Sequence, residues 1–346
     1  MRAAMFETFA GPVEVTTLAD PQPPPGGVVI RVGANGICRS DWHGWMGHDP
    51  DVRLPHVPGH ELAGTIADVG TGIEKWQVGD RVVVPFAGGC GVCRECRAGN
   101  HHICDNYFQP GFTAWGGFAE LVAVRYADVN LVRLPTAMGF ADAAALGCRF
   151  ATSFQAVVNR GRVADGEWFV VHGCGGIGLS AVMVGAALGA RVIAVDISDD
   201  KLQAAAAVGA VHSINAAATP DVIAAVHGLT DGGAHASIDA LGSTETCRNS
   251  IRCLRKRGRH LQVGLLVGEH AMPRIPMELL HSLEIELVGS HGMPVGSYPQ
   301  MLDMIGGGTL DPARLVDSKV TLTEGAEHLM RMGDFPGVGT TVIDRF

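Results

Sequence analysis

The chain has no excess of basic charge, no long apolar run and no repeat, and each absence closes a class of function. Its 26 lysines and arginines stand against 35 aspartates and glutamates, a formal net charge of −9. A chain this acidic has no basic footprint with which to hold nucleic acid. Its apolar stretches are broken by glycine, histidine or a charge before the roughly 18 residues that a membrane-spanning helix needs. Met1 to Ala10 contains Glu7 and no long apolar core, so it is not expected to act as a secretory signal. Charged residues are only 18% of the chain and apolar ones 47%, too hydrophobic for disorder and ample for a large core. The 47 glycines and 18 prolines show no G-X-Y period, which excludes collagen and predicts many tight turns. No internal repeat or low-complexity tract is present, and 346 residues suggest two domains.

What is present divides near residue 150. Before it, short runs such as Val28–Val32, Thr65–Val69 and Arg81–Val84 read as strands between turns. After it, strands are predicted at Glu167–His172, Arg191–Asp196 and near 211–214, 235–239 and 259–264, with helices at Leu179–Leu188 and Lys201–Val208. Strand–helix alternation of this kind predicts an α/β domain with a parallel sheet and right-handed crossovers. The rhythm ends near residue 290, and the last 55 or so residues are too few for a third domain. They are expected to pack on the first.

Gly173-Cys174-Gly175-Gly176-Ile177-Gly178 fits G-x-G-x-x-G, directly after a predicted strand and at the start of a helix. Gly173 permits the tight turn, Gly175 lets backbone approach a pyrophosphate, and Gly178 allows close helix–sheet packing. The helix N-terminus offers free N–H groups to phosphate. Asp196 ends the next strand and can accept hydrogen bonds from an adenosine ribose, while it would repel a 2′-phosphate. The expected cofactor is therefore NAD rather than NADP.

Nine cysteines, an odd count without an export signal, predict a cytoplasmic chain with reduced thiols, and clustered thiols there suggest metal. Cys90, Cys93, Cys96 and Cys104 follow a C-x2-C-x2-C-x7-C spacing, which suits a closed tetrahedral zinc site. An iron–sulfur cluster is the competing reading, although its motif continues with x3-C-P and here Asp105 follows the last cysteine. Cys38, His60 and Cys148 form a second candidate set, with the ligand chemistry of an open catalytic zinc; their distance in sequence proves nothing by itself.

Gly59-His60-Glu61-Leu62-Ala63-Gly64, with Gly70 and Ile73, and Gly36-Ile37-Cys38-Arg39-Ser40-Asp41-Trp42-His43 resemble the zinc signatures of medium-chain dehydrogenases. The four-cysteine lobe and the glycine motif follow in that family's order, so the whole chain resembles a zinc-dependent alcohol dehydrogenase. The resemblance implies a Rossmann-fold nucleotide domain over 150–290 and a mostly β, GroES-like catalytic domain over 1–149 and 291–346. It implies two zinc ions per chain, one on Cys38, His60 and Cys148 and one on the four cysteines. Glu61 would lie beside the catalytic zinc and Asp41 would orient His60. Ser40 and His43 match a proton relay, Arg39 a pyrophosphate contact and Lys201 a ribose contact. Thr152 and Val263-Gly264-Leu265 resemble walls around the nicotinamide, where Gly176 and Ile177 open the helix beneath the phosphates. Phe86, Trp42, Trp45, Trp115 and Phe108 are candidates for an apolar substrate pocket. The hydrophobic segment from Leu279 to Val288 suggests an edge strand that pairs across a two-fold axis, giving a homo-oligomer, dimer or tetramer. Two rival readings use the same scaffold: a zinc-free quinone or enone reductase, which needs no Cys38, His60 or Cys148, and a non-catalytic NAD-binding module, which needs no relay.

Overall fold

Runs of valine and isoleucine bounded by glycine and proline make the strands of the N-terminal part. The computed structural model describes residues 1–334 and 337–346. Val28–Gly36 and Glu61–Val69 pair antiparallel along their whole length, from Val28 opposite Val69 to Gly36 opposite Glu61. That register brings Ile37-Cys38 and His60 off neighbouring strand ends. The sheet has seven strands: Val316–Thr321, Thr340–Arg345, Val28–Gly36, Glu61–Val69, Arg81–Val83 and Val132–Arg133 in order, with Leu121–Val124 also paired to Val28–Gly36. Val28, Ile30, Val32, Leu62, Ile66 and Val82 fill one core cluster, and Phe6, Ile37, Trp45, Phe118 and Leu329 belong to another. This unit comprises 1–148, 292–300 and 315–346.

The second unit comprises 149–291 and 301–314. Its central strand, Trp168–His172, is buried at every residue, as a parallel strand covered on both faces should be. Six strands run parallel in the order His212–Asn215, Arg191–Asp196, Trp168–His172, Ala234–Asp239, Leu254–Gln262 and Glu286–Gly289. The chain winds outward on one side and then on the other. The order therefore reverses beside Trp168–His172, the place where open α/β sheets leave a crevice at their carboxyl ends. The helix Gly176–Ala187 is buried from Gly178 to Gly185.

The C-terminal segment does not return whole to the first unit, as the sequence suggested: 301–314 belongs with the second. There the Arg314 guanidinium donates to the Ala207 carbonyl. Among the described residues, no helix is long and apolar enough to cross a membrane.

Candidate active site

Cys38 is the N-cap of the helix Arg39–Trp45, and Asp41 reaches back from its third position. One Asp41 oxygen accepts the Cys38 N–H at 2.9 Å. The other accepts the Gly59 N–H at 3.0 Å and lies 2.7 Å from His60 Nδ1. A single buried carboxylate thus joins the two strand ends and leaves Nε2 as the outward nitrogen of His60. That nitrogen is buried, and no hydrogen bond to it is made among the described residues. One ligand atom each from Cys38, His60, Glu61 and Cys148 lie within 4.8 Å of one another. Cys148 arrives through a bend at Gly147 (φ −55°, ψ −137°). A Cβ at Gly147 would stand 2.5 Å from the Glu61 Cβ, so only glycine allows this approach.

Two thiols, an imidazole and a carboxylate around one point are donors suited to zinc. Burial opposes charge on His60, but Asp41 and then Cys38 outweigh it and hold its pKa well above the ordinary value. A metal ion taking Nε2 would displace that proton while Asp41 keeps the Nδ1 proton in place.

Phe86 and Phe112 present their rings edge-on to His60, with centroids at 5.9 and 5.2 Å. The other proposed pocket aromatics lie elsewhere. Trp45 and Phe108 fill core clusters, and Trp115 is 40% exposed with its indole donating to the Pro55 carbonyl. Trp42 stacks under Arg39 at 3.9 Å. Sequence reasoning missed Phe112 and two of the three tyrosines. Tyr298 is fully buried, and burial, then Cys148 and Glu61, push its phenol pKa up. Tyr107 donates to Gln109 Oε1 at 2.5 Å, and burial and Cys148 likewise raise it. Nothing local marks these residues; only the scarcity of tyrosine hints at them.

Ser40 Oγ lies 3.7 Å from Cys38 Sγ. Ser40 and His43 are three residues apart on the helix and so share a face. Burial, then Arg39 and His48, lower the His43 pKa, and Cys38 opposes them. Arg39 is not a free solvated charge, because its guanidinium also donates to the Met332 carbonyl.

In the second unit Gly173 adopts φ +89°, and a Cβ at Gly178 would stand 1.8 Å from the Gly173 carbonyl oxygen. A Cβ at Gly175 would meet nothing within 4 Å, so the backbone before the helix faces open space that a pyrophosphate can fill. Asp196 is anchored by the loop itself: one oxygen accepts the Cys174 N–H at 2.7 Å and the other the Ser198 N–H at 3.0 Å. Each oxygen keeps a second lone pair for a hydroxyl. Gly176 packs on Arg149, and the Ile177 carbonyl accepts Ser153 Oγ at 2.8 Å. Lys201 follows in the helix that Ser198 caps. The Thr152 hydroxyl is buried without a partner among the described residues. Val263 and Gly264 donate their N–H groups to the Asp239 carbonyl, which leaves Leu265 55% exposed.

The ligand atoms of Cys90, Cys93, Cys96 and Cys104 also lie within 4.8 Å of one another. Backbone N–H groups point at the sulfurs: Cys90 at Cys104 Sγ (3.3 Å), Cys96 at Cys93 Sγ (3.4 Å) and Asn106 at Cys104 Sγ (3.2 Å). Backbone donors, led by the Val92 N–H, lower Cys90 to about 6, whereas burial raises Cys96 to about 12. Four thiolates held this close would repel one another, and a cation among them would offset that repulsion. The Asn130 side chain clasps Gly89 by its N–H (2.8 Å) and carbonyl (2.9 Å), fixing the loop that starts the cluster.

Residues 24–136 match the family model for the alcohol dehydrogenase GroES-like domain, and residues 176–306 that for zinc-binding dehydrogenase. An alcohol dehydrogenase of Geobacillus stearothermophilus is 34% identical over 277 residues, 79% of this chain and 80% of that one. A solved NAD-dependent alcohol dehydrogenase is 30% identical, with TM-score 0.90 over 99% of both chains. A putative zinc-binding dehydrogenase from Sinorhizobium meliloti 1021, solved bound to NADP, is 26% identical, with TM-score 0.89 over 99% of this chain and 98% of that one.

Proposed function

The chain belongs to the zinc-binding alcohol dehydrogenases of the medium-chain dehydrogenase/reductase superfamily, and from that premise we propose that it is an NAD- and zinc-dependent enzyme. Its reaction is the reversible oxidation of primary or secondary alcohols to aldehydes or ketones. The observation that carries this reading is the gathered set Cys38, His60, Glu61 and Cys148, in which the buried His60 Nε2 makes no hydrogen bond among the described residues. A zinc-free reductase has no use for that set.

Zinc held there supplies Lewis acidity toward the substrate oxygen, and bound nicotinamide supplies the hydride acceptor. The protein's own residues do the rest. Asp41 holds the tautomer and orientation of His60. Glu61 offers a further carboxylate beside the thiols. Phe86 and Phe112 exclude water from the face of His60. Ser40 takes the hydroxyl proton, and the His43 imidazole, three residues on along the same helix face, receives it. Asp196 holds the adenosine ribose, supported by its two remaining lone pairs; Lys201, Thr152, Val263 and Leu265 complete the cofactor contacts of the second unit. The four-cysteine lobe carries a second, structural zinc. Residues 1–149 and 291–346 serve catalysis and 150–290 the nucleotide.

The edge strand Glu286–Gly289, with Leu287 40% and Met277 63% exposed, supports a homo-oligomer, dimer or tetramer. Nine cysteines free of disulfides support a cytoplasmic setting. The deciding experiment is elemental analysis beside NADH formation from a panel of alcohols. Two zinc ions per chain and turnover with some alcohol are expected. Iron in place of zinc, or no turnover across primary and secondary alcohols, would sink the proposal.

A further inference from the structure

The helix Arg39–Trp45 ends in a glycine turn that carries a second histidine back to the first. Gly47 adopts φ +77°. Its N–H donates to the Gly44 carbonyl at 3.1 Å, and the His48 N–H donates to the His43 carbonyl at 2.9 Å. This bond pair defines a Schellman turn, which folds the residue after the glycine over the last helical turn. A Cβ at Gly47 would lie 2.9 Å from the Phe9 ring, so the turn is packed as well as bonded. His43 Nδ1 and His48 Nδ1 end 3.0 Å apart. Trp42 lies edge-to-face against both rings, at 5.0 and 5.7 Å. His43 is half-buried and His48 exposed, so the pair leads toward solvent.

Two imidazole nitrogens at this distance share one proton, donated by one ring and accepted by the other. We propose that His48 is the outer station of the proton exit, receiving through this contact the proton that His43 takes up. The proposal rests on the reading of Ser40 and His43 as that exit. A proton bound at His43 Nε2 sends the shared proton from His43 Nδ1 to His48 Nδ1. His48 then releases its Nε2 proton to water. One proton enters and one leaves, both rings finish neutral, and each has changed tautomer. The pair also resists a second proton, because two Nδ1–H groups cannot face each other, and so it titrates in two steps as a unit. Arg39 and Cys38 are the other groups acting on His43. The helix Leu322–Arg331, packed against this one, carries Glu324, Glu327, His328 and Arg331.

The test compares the intact enzyme with its His48→Ala and His48→Gln variants. By NMR of the histidine rings, the wild-type pair titrates in two steps at least about one pH unit apart. In His48→Ala, His43 titrates in a single step moved upward, since His48 lowers it. kcat/KM for alcohol oxidation falls roughly tenfold near pH 6–7, falls less in alkali, and recovers with added imidazole. An unmoved His43 step overturns the pairing. Superimposable kcat/KM profiles of His48→Ala and wild type overturn the relay role. A wild-type chain that forms no NADH from any alcohol overturns the underlying reading and the relay with it, while the NMR steps report the pairing independently.

Discussion

Replacing Asp41 by asparagine changes one atom and one charge at the junction of Cys38, Gly59 and His60. Three donors converge on its two oxygens: Cys38 N–H on one, Gly59 N–H and His60 Nδ1 on the other. The better orientation of an asparagine keeps its oxygen on Gly59 and His60 and turns its NH2 toward the Cys38 N–H. The Cys38 N–H and the new amide NH2 are then both unsatisfied, at a cost of about 1–3 kcal/mol each. The bond to His60 also loses its charge assistance, which halves a strong interaction. Loss of such a partner to a ligating histidine weakens metal binding by about 10–100-fold, or roughly 1.4–2.7 kcal/mol. The expectation is selective. In a chelator titration followed by zinc release, the ion on Cys38, His60 and Cys148 should leave at 10- to 100-fold lower free chelator. The ion on the four cysteines should leave as in wild type. Asp41→Ala, which orphans all three donors, should lower the melting temperature further than Asp41→Asn. If both release phases of Asp41→Asn superimpose on wild type, Asp41 does not support the catalytic ligand.

Cofactor choice should rest on Asp196: NAD is expected to exceed NADP by at least about a hundredfold in kcat/KM, equivalent to roughly 2.7 kcal/mol, and equal efficiency would contradict its ribose role. Asp196→Ser should erode that preference mainly by raising KM for NAD. It should also lower the melting temperature, because Asp196 accepts the Cys174 and Ser198 N–H groups. Cys104→Ser should leave one zinc per chain and a less stable fold, measured by elemental analysis and thermal melting; an unchanged zinc count would refute the closed site. Gly178→Ala must displace the Gly173 carbonyl from a 1.8 Å clash, so NAD affinity should fall at least about tenfold with both zinc ions retained, as calorimetry would report. His172 is buried and neutral; burial, then His260, lower its pKa to about 3. Between that value and about 6.5 the unfolded chain binds this proton and the native one does not. Stability therefore falls as pH drops through this window, by up to about 1.4 kcal/mol per pH unit. His172→Gln should flatten that slope in chemical denaturation between pH 6.5 and 4.5, and an identical slope would refute the assignment.

The glycine turn before the helix was legible in the sequence because its parts are local. The turn at Gly173, the contact at Gly178 and the helix start all fall within six residues, and Asp196 lies one strand away. The four-cysteine lobe was legible for the same reason: its thiols span fifteen residues, and thiols so close can hardly avoid one another. The α/β class followed from strand–helix alternation, which the six-stranded parallel sheet bears out. Where 301–314 packs was not legible, since no periodicity distinguishes a segment that serves one unit from a segment that serves the other.

The second ligand set needed the fold. Cys38 and His60 meet because Gly36 pairs with Glu61, and a slip of one residue in that register would put their side chains on opposite faces. Cys148 meets them because the chain bends at Gly147 against Glu61. Phe112, Tyr107 and Tyr298 reach the same region from loops and a late helix, Phe112 while sharing a core cluster with Trp45, whereas Phe108, next to Tyr107 in sequence, packs into a different cluster. Sequence proximity predicts contact only within a turn or two of chain. Beyond that, contact is decided by strand register and by which apolar surface each segment buries, and both are properties of the assembled sheets rather than of any residue run.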